Sequence, residues 1–407
     1  MNLSIALVAS GILLTQQPTD PTRGELGEGV PEGFVVRPGY KVTLVVEDLE
    51  EARFIEFGAD GELYVSMPRQ GKIQSLRDGD GDGTFETRAD FVTDQSNCHT
   101  MRFHEGWLYY TSSQEGYCRR ARDTDGDGRA DEVQDVITEG IPAGGGHPYR
   151  GVLVTDEHIY ITVSDPTNMT GELESDRKTL YRFRYDGNGS AGEREVFATG
   201  IRNTEEIQHR IGKDGRLTDE IWGADHGSDN FGVPYGDRPS RRRGGGSQPI
   251  TDLNPPDELN KFVEGGFYGH PYLMADRTPR PEFADRDDLH ELAEKTIPAA
   301  WSYGAHTAVN GFTFLSSKAG EHFGADHTGD LFQAQHGSWN SSVPVGYAVT
   351  RVFFDPMTGM PFGEWPIVTT HDGSRPLARP VDCAEAPDGT ILFSCDQTRR
   401  IYRISRE

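Results

Sequence analysis

The chain has 407 residues and carries 40 Lys+Arg against 65 Asp+Glu, a net charge of −25. An acidic surface of this size repels phosphate backbones and anionic lipid headgroups, which argues against nucleic-acid binding and against charge-driven membrane binding. Hydrophobic residues make up 35%, enough for a packed core, and 49 Gly with 24 Pro predict many tight turns between short elements, the composition of a loop-rich all-β chain.

The first feature in chain order is an apolar stretch over residues 3–14, followed by polar Gln16 and Gln17. About twelve residues are too few to span a bilayer but fit a secretory h-region. The expectation is a signal peptide or leader over 1–20, a linker over 21–38, a single domain over 39–407, and a periplasmic or secreted location. The strand at residues 40–47 is expected to complete a sheet with the C-terminal strands and so remove a free edge.

A repeat follows. Gly61-Glu62-Leu63-Tyr64-Val65-Ser66 returns as Gly106-Trp107-Leu108-Tyr109-Tyr110-Thr111, and the acidic loop starting at Asp78 returns at Asp123, both 45 residues later. Short β-branched and aromatic runs after turns recur at His158-Ile159-Tyr160-Ile161 and at Gly389-Thr390-Ile391-Leu392-Phe393. A period of roughly 40 to 50 residues with about four short strands per unit is the mark of a β-propeller. Only residues 287–296 read as helical, within an insertion.

The two acidic loops place Asp78, Asp80 and Asp82 before Gly83, and Asp123, Asp125 and Asp127 before Gly128, with Asp131 or Glu132 as a further donor. Hard oxygen donors at alternate positions with a glycine at the sharp turn are what a Ca²⁺ loop uses. The other reading is an Asp/Gly turn that binds nothing. Even with calcium bound, loops that join strands in this way read as structural staples, since three uncompensated carboxylates would otherwise repel one another. Cys98, Cys118, Cys383 and Cys395 form no CxxC or CxxCH, so neither a zinc knuckle nor covalent haem is signalled. In an exported chain the near pairs Cys98/Cys118 and Cys383/Cys395 are candidate disulfides, with the pairing open.

The middle of the chain carries the chemistry. In order come Gly144-Gly-Gly-His147-Pro-Tyr-Arg150, Gly200-Ile-Arg202-Asn203, Asp225-His226-Gly227-Ser228, Pro256-Asp257-Glu258-Leu259-Asn260 and Gly265-Gly-Phe-Tyr268-Gly269-His270-Pro271. Together they resemble the pyrroloquinoline-quinone (PQQ) glucose/sorbosone dehydrogenase family, six-bladed β-propellers that oxidise sugars. Gly304-Ala-His306, Gln335-His336-Gly337-Ser338-Trp339-Asn340 and Arg379-Pro380-Val381-Asp382 are similar to the sorbosone-type branch.

The resemblance implies PQQ and Ca²⁺ as cofactors. It places His147 as the base that takes the substrate hydroxyl proton and Arg202 as the cation beside the quinone, with Asn203 at the cofactor's edge. Main-chain carbonyls of Gly227 and Ser228 would hold calcium. Gln95 and Arg379 match cofactor-contacting positions more loosely. Activity is expected to rise with pH as His147 loses its proton.

The sequence departs from the family by having Thr204-Glu205-Glu206 after Arg202-Asn203 and no lysine in residues 335–340. PQQ has three carboxylates, so cations matter, and Arg150 is the expected compensation. Residues 241–246, Arg-Arg-Arg-Gly-Gly-Gly, read as a lid or anion-attracting rim, or as a linker. The function implied is oxidation of a sugar or sugar-derived aldehyde or alcohol. With no CxxCH, electrons pass to a separate acceptor, a soluble cytochrome or quinone. Two alternatives stand beside it: a calcium-dependent lactonase-type hydrolase, which needs a side-chain carboxylate cage in the central channel, and a non-catalytic calcium-binding propeller.

Overall fold

Residues 55–92 show how one blade is built. Strands Ile55–Phe57, Leu63–Met67, Lys72–Arg77 and Thr87–Val92 pair antiparallel in that order. Burial falls from the second strand, buried at every position, to the fourth, whose first residues are exposed. Runs such as Leu-Tyr-Val-Ser-Met are apolar on both faces because each blade is covered on both sides. The next blade, Cys98–His104, Trp107–Ser112, Tyr117–Arg122 and Glu132–Ile137, repeats the pattern.

Six such sheets close a ring, so the expected six-bladed all-β propeller is the architecture of the computed structural model, which describes residues 22–171, 173, 175–232 and 249–407. The sixth sheet joins Pro380–Glu385, Ile391–Cys395 and Arg400–Arg406 to Tyr40–Val46, with Ile401 opposite Val46 and Ile404 opposite Val42. The strand from the start of the domain thus closes the ring as expected. Six apolar clusters fill the six junctions between blades, for example Tyr64, Ile73, Phe91, Leu108 and Tyr110 between the first two. Because the core lies between blades, the innermost strands line the axis with polar groups: Glu56, Arg102, Glu206 and Asp382. Arg102 pairs with Glu206 and, at 3.2 Å, with Glu56.

Three expectations are corrected. Residues 22–38 are not a linker, because Phe34 and Val36 are buried, Val35–Val36 pairs with the outer strand Pro361–Thr369, and Glu25–Leu26 runs parallel to Tyr40–Val46. All four cysteines are free thiols. Strand Trp107–Ser112 lies between Cys98 and Cys118, so the two are separated by two strand spacings of about 4.8 Å, beyond the roughly 7 Å Cα limit of a disulfide. Cys395 faces Pro380 and Cys383 faces Phe393, which offsets that pair along the sheet. The predicted helix is present as Leu289–Lys295, and a second helix, Ser317–Phe323, was not signalled. The residue 1–20 leader and the Arg-Arg-Arg segment at 241–243 lie outside the described residues. Among the described residues no helix is long and apolar enough to cross a membrane.

Candidate active site

Antiparallel strands send successive connections to opposite ends of the ring. Segments entering the innermost strands, such as Arg53 before Ile55–Phe57 and His147 before Val152–Val154, share one end. The acidic loops between third and fourth strands lie at the other. At the first end is a cavity of about 430 Å³ at the mouth of the axis. Arg53, Arg69, Arg202 and Arg379 line it, with Glu205, Asp229, Asp257 and Asp396 as the opposing charges. His147, Asn203, His226, Gly227, His306, His336 and Trp339 complete most of the wall.

His147 is presented by a loop made rigid by arginines. Arg177 donates to the carbonyls of Gly144, at 3.0 Å, and Ala143, at 2.7 Å, and Arg150 donates to that of Pro142. The glycines permit this closeness: a Cβ on Gly146 would stand 2.8 Å from the carbonyl oxygen of Pro166. The Nδ1 of His147 lies 2.7 Å from the carbonyl oxygen of Asp165. A carbonyl only accepts, so Nδ1 carries the hydrogen and Nε2 keeps its lone pair. Burial, then the nearby Arg202 charge, push the ring down to about 3. His147 is therefore already neutral in ordinary buffers, which removes the expected activation as pH rises through its ionisation.

The neighbouring histidines are engaged. His226 donates from Nε2 to the Val309 carbonyl at 2.8 Å and accepts at Nδ1 from Asn203 at 3.0 Å. His336 donates to Asp396 at 3.0 Å and accepts from Arg379 at 2.9 Å. His306 donates to the Thr251 carbonyl at 2.5 Å.

Arg202 is 4% exposed and is held on three nitrogens: Nε to the Asn168 carbonyl at 2.8 Å, Nη2 to Asn168 Oδ1 at 3.0 Å and Nη1 to the His226 carbonyl at 3.1 Å. Behind it, Asp225 receives the backbone N–H groups of Arg202 at 2.8 Å and Asn203 at 2.7 Å. The buried Oδ1 of Asn203 has no partner among the described residues. Arg53, over the ring of Tyr149, pairs with Asp396 at 3.1 Å and Glu205 at 3.4 Å. Tyr149 in turn stacks on His99 at 3.8 Å. Trp339, 66% exposed, stands at the rim.

The structure thus gathers His147, Arg202, Asn203, Arg379 and Gly227 into one cavity. Ser228 lies one layer deeper, against a small second cavity of about 20 Å³ that Gly227 also lines. The carbonyls of Gly227 and Ser228 accept no hydrogen bond from a described residue. Two candidates lie outside the cavity. Gln95 is turned outward, its Oε1 accepting from Tyr110 and Tyr117 at 3.1 Å and from Arg119 at 2.9 Å. Arg150 is fully buried beneath the His147 loop and does not reach the cavity. The cations that sequence reasoning missed are Arg53 and Arg69, which enter from a different blade.

At the opposite end the two acidic loops repeat the same glycine contacts. Gly81 and Gly83 donate to Asp78 as Gly126 and Gly128 do to Asp123. Donor atoms of Asp123, Asp125 and Asp127 converge within 4.8 Å, as do those of Asp78, Asp80 and Glu86. Asp82 lies outside the first converging set, its Oδ1 accepting from the N–H of Thr84 at 2.7 Å and from the Thr84 hydroxyl. Oδ2 of Asp131 accepts from the N–H and hydroxyl of Thr124 at 2.7 and 2.6 Å, the counterpart of the bond from Gly79 N–H to Glu86 at 2.8 Å.

A ring of six blades with a cation-rich, histidine-bearing cavity at one end defines the class. The family model described as TrAA12-like matches residues 34–407, and the chain belongs to that family. Among solved structures it is similar to the holo pyranose dehydrogenase PQQ domain of Coprinopsis cinerea, with TM-score 0.75, 18% identity, and 94% of this chain and 100% of that one covered. A calcium structure of the Trichoderma reesei family AA12 enzyme gives TM-score 0.71 at 17% identity, covering 92% and 97%. The PQQ-bound aldose sugar dehydrogenase of Streptomyces coelicolor gives 0.57 at 13%, covering 91% and 99%. An uncharacterized protein of Borreliella burgdorferi is 31% identical over 218 residues, 52% of this chain, and the chain spans about half (49%) of that relative's length.

Proposed function

We propose that the protein is a PQQ- and calcium-dependent dehydrogenase that oxidises a sugar or sugar-derived aldehyde or alcohol by hydride transfer, a sorbosone-type sugar included. The observation that carries this reading is His147: a neutral imidazole with Nε2 open, in one cavity with Arg202. When bound, PQQ supplies the hydride acceptor and calcium the Lewis acid that polarises it. The residues present suit both. Four arginines face a group with three carboxylates, and among the described residues Asn203 Oδ1 and the Gly227 and Ser228 carbonyls have no hydrogen-bond donor and are open to a ligand and a hard cation.

His147 Nε2 takes the hydroxyl proton as the hydride leaves the substrate carbon, while the Asp165 carbonyl keeps its tautomer fixed. Arg202 faces the negative charge that grows in the cavity and lowers the barrier by favouring it. Arg53 and Arg379 are fixed by Asp396, Glu205 and His336, so they bind without reorganising. Electrons leave to a separate acceptor, and export is proposed on the apolar residues 3–14.

The lactonase reading requires three or more side-chain ligands in the channel. Among the described residues, the groups that could hold a metal that way lie outside the cavity, and the axial carboxylates of Glu56 and Glu206 are bonded to Arg102. The two acidic loops are proposed as structural calcium sites, with Glu86 in place of Asp82. The test is reconstitution: apoprotein with PQQ and calcium should reduce a dye with a sugar panel, and nicotinamide cofactors should not. Absence of both PQQ binding and turnover across the panel overturns the proposal.

A further inference from the structure

The turn over residues 165–170 touches both functional side chains at once. Asp165 accepts from His147 Nδ1 through its carbonyl at 2.7 Å and donates its own N–H to the Arg202 carbonyl at 2.8 Å. Three residues on, Asn168 presents its main-chain and side-chain oxygens to Nε and Nη2 of Arg202. That edge of a guanidinium is the fork that a carboxylate ordinarily fills. Here two neutral oxygens fill it, and the third contact, the His226 carbonyl, is neutral too. The nearest carboxylate, Asp229, is 3.7 Å away, and its backbone N–H is itself held by Asn168 Oδ1 at 2.8 Å.

The turn is locked from within and from a distant segment. The Asp165 carboxylate accepts from Thr167 N and Thr170 N, both at 2.9 Å, from the Thr170 hydroxyl at 3.0 Å, and from His270 Nε2 at 2.9 Å. His270 arrives on the Gly265-to-Pro271 motif, whose Gly266–Phe267 strand pairs with Arg194–Thr199 of the third blade. A carboxylate is thus spent on fixing the turn and kept off the arginine.

We infer that residues 165–170 are a positioning element that aligns Arg202 through hydrogen bonds to neutral acceptors, with Asn168 as its key residue and the Asp229 carboxylate held beyond hydrogen-bond distance at 3.7 Å, so that the positive charge is left for an anionic ligand and for charge that develops in the cavity. The inference rests on the reading of Arg202 as the cation of the site. Replacing Asn168 by aspartate keeps every acceptor but adds a charge on the fork; replacing it by alanine removes one acceptor and the alignment. A merely structural asparagine would tolerate aspartate, because an Arg–carboxylate fork is at least as strong.

Asn168→Asp and Asn168→Ala are compared with the wild type in two measurements. PQQ titrated with calcium present should bind at least tenfold more weakly to Asn168→Asp, with thermal unfolding unchanged or raised. Asn168→Ala should hold PQQ within a few fold and lose roughly ten- to a hundredfold in turnover through misplacement. The second measurement needs no cofactor: ¹⁵N-histidine NMR of His147, which faces Arg202, His226 and the Asp165 carbonyl. Asn168→Asp should raise the pH of its protonation by about one unit, and Asn168→Ala much less, because one unit is the change expected when a nearby cation is cancelled. If Asn168→Asp binds PQQ like wild type, or leaves the His147 titration unmoved, the inference is overturned. A wild type that binds no PQQ overturns the dehydrogenase reading alone, and the NMR comparison then decides the inference; should Asn168→Asp not fold, a His147 titration in Asn168→Ala displaced as far as a full charge would displace it overturns the inference equally.

Discussion

Gly311 and Asp382 meet on the axis of the propeller: a Cβ placed on Gly311 would stand 2.1 Å from Oδ1 of Asp382 and 2.8 Å from Oε2 of Glu206. Asp382 receives the N–H groups of Ile55 at 2.9 Å and Cys383 at 2.8 Å, and Glu206 receives that of Phe312 at 2.7 Å, so neither carboxylate can withdraw. The glycine, on strand Val309–Phe314, is what lets carboxylates from strands Thr204–Ile211 and Pro380–Glu385 approach it.

Gly311→Ala is therefore expected to destabilise the fold by about 3 kcal/mol, the upper part of the overpacking range. Gly363→Ala is the control, since its Cβ would find only Phe353 at 3.7 Å. Denaturant unfolding of the two variants should separate them clearly; equal midpoints would show that the axial contact is slack.

For the base, His147→Ala should lower turnover by about 10² to 10⁴ while PQQ affinity stays within a few fold, because the side chain meets the substrate proton. Wild-type turnover should show no ionisation of His147 between about pH 5 and 8. The stability consequence has a definite sign. The ring titrates near 6.5 when unfolded and is pushed to about 3 when folded, so below 6.5 the unfolded chain binds the extra proton and stability falls with pH. Comparing His147→Gln with wild type cancels all other groups, and the variant should gain up to about 2 kcal/mol relative to wild type on going from pH 7.5 to 5. A pH-independent difference contradicts the buried neutral histidine.

Chelation acts at the other end of the molecule. EDTA should lower the melting temperature, since a ligand of the native state alone stabilises by roughly 2.7 kcal/mol at a hundredfold excess over Kd. Asp123→Asn and Glu86→Gln should each diminish the calcium effect, whereas Asp82→Asn should do so far less because Asp82 lies outside the converging donor set. Coincident melting curves with EDTA and calcium would remove the loops from consideration as cation sites.

The thiols give a fourth test. Burial pushes Cys98 and Cys118 up to about 12 and raises Cys383 and Cys395 as well. Ellman's reagent should label four thiols in denaturant and none on a timescale of minutes in the native protein, with or without prior reductant. Fewer than four without reductant would mean that a disulfide forms.

How far the sequence was legible depended on whether a function is written locally. His147, Arg202 and Asn203 sit in short glycine-flanked motifs that the fold brings to one cavity, and the 45-residue repeat was legible because adjacent blades are copies in the same chain order. Arg53 and Arg69 were missed: each is one arginine beside a strand, and only ring closure brings them opposite Arg202. Arg150 failed for the converse reason. Three residues from His147 it looked like a cofactor ligand, yet the chain turns into the first strand of the third blade and buries it. Glu86 had a usable signal, since it lies 45 residues before Asp131 and makes the same contact with the loop backbone. Asn168 had none, because a neutral residue in a turn gives no pattern to read.

The sheet that joins Tyr40–Val46 to Arg400–Arg406 has a bearing on how the chain is made. On the ribosome, the earlier strand emerges with its hydrogen-bonding edge and with Val42, Val45 and Val46 uncovered, and its partner is more than 350 residues behind. At about 5–20 residues per second that interval is some tens of seconds, long against the formation of any single blade. During it the strand is an adhesive edge for other nascent chains. The parallel contact of Glu25–Leu26 along its flank offers partial cover at once, from sequence that has already been synthesised.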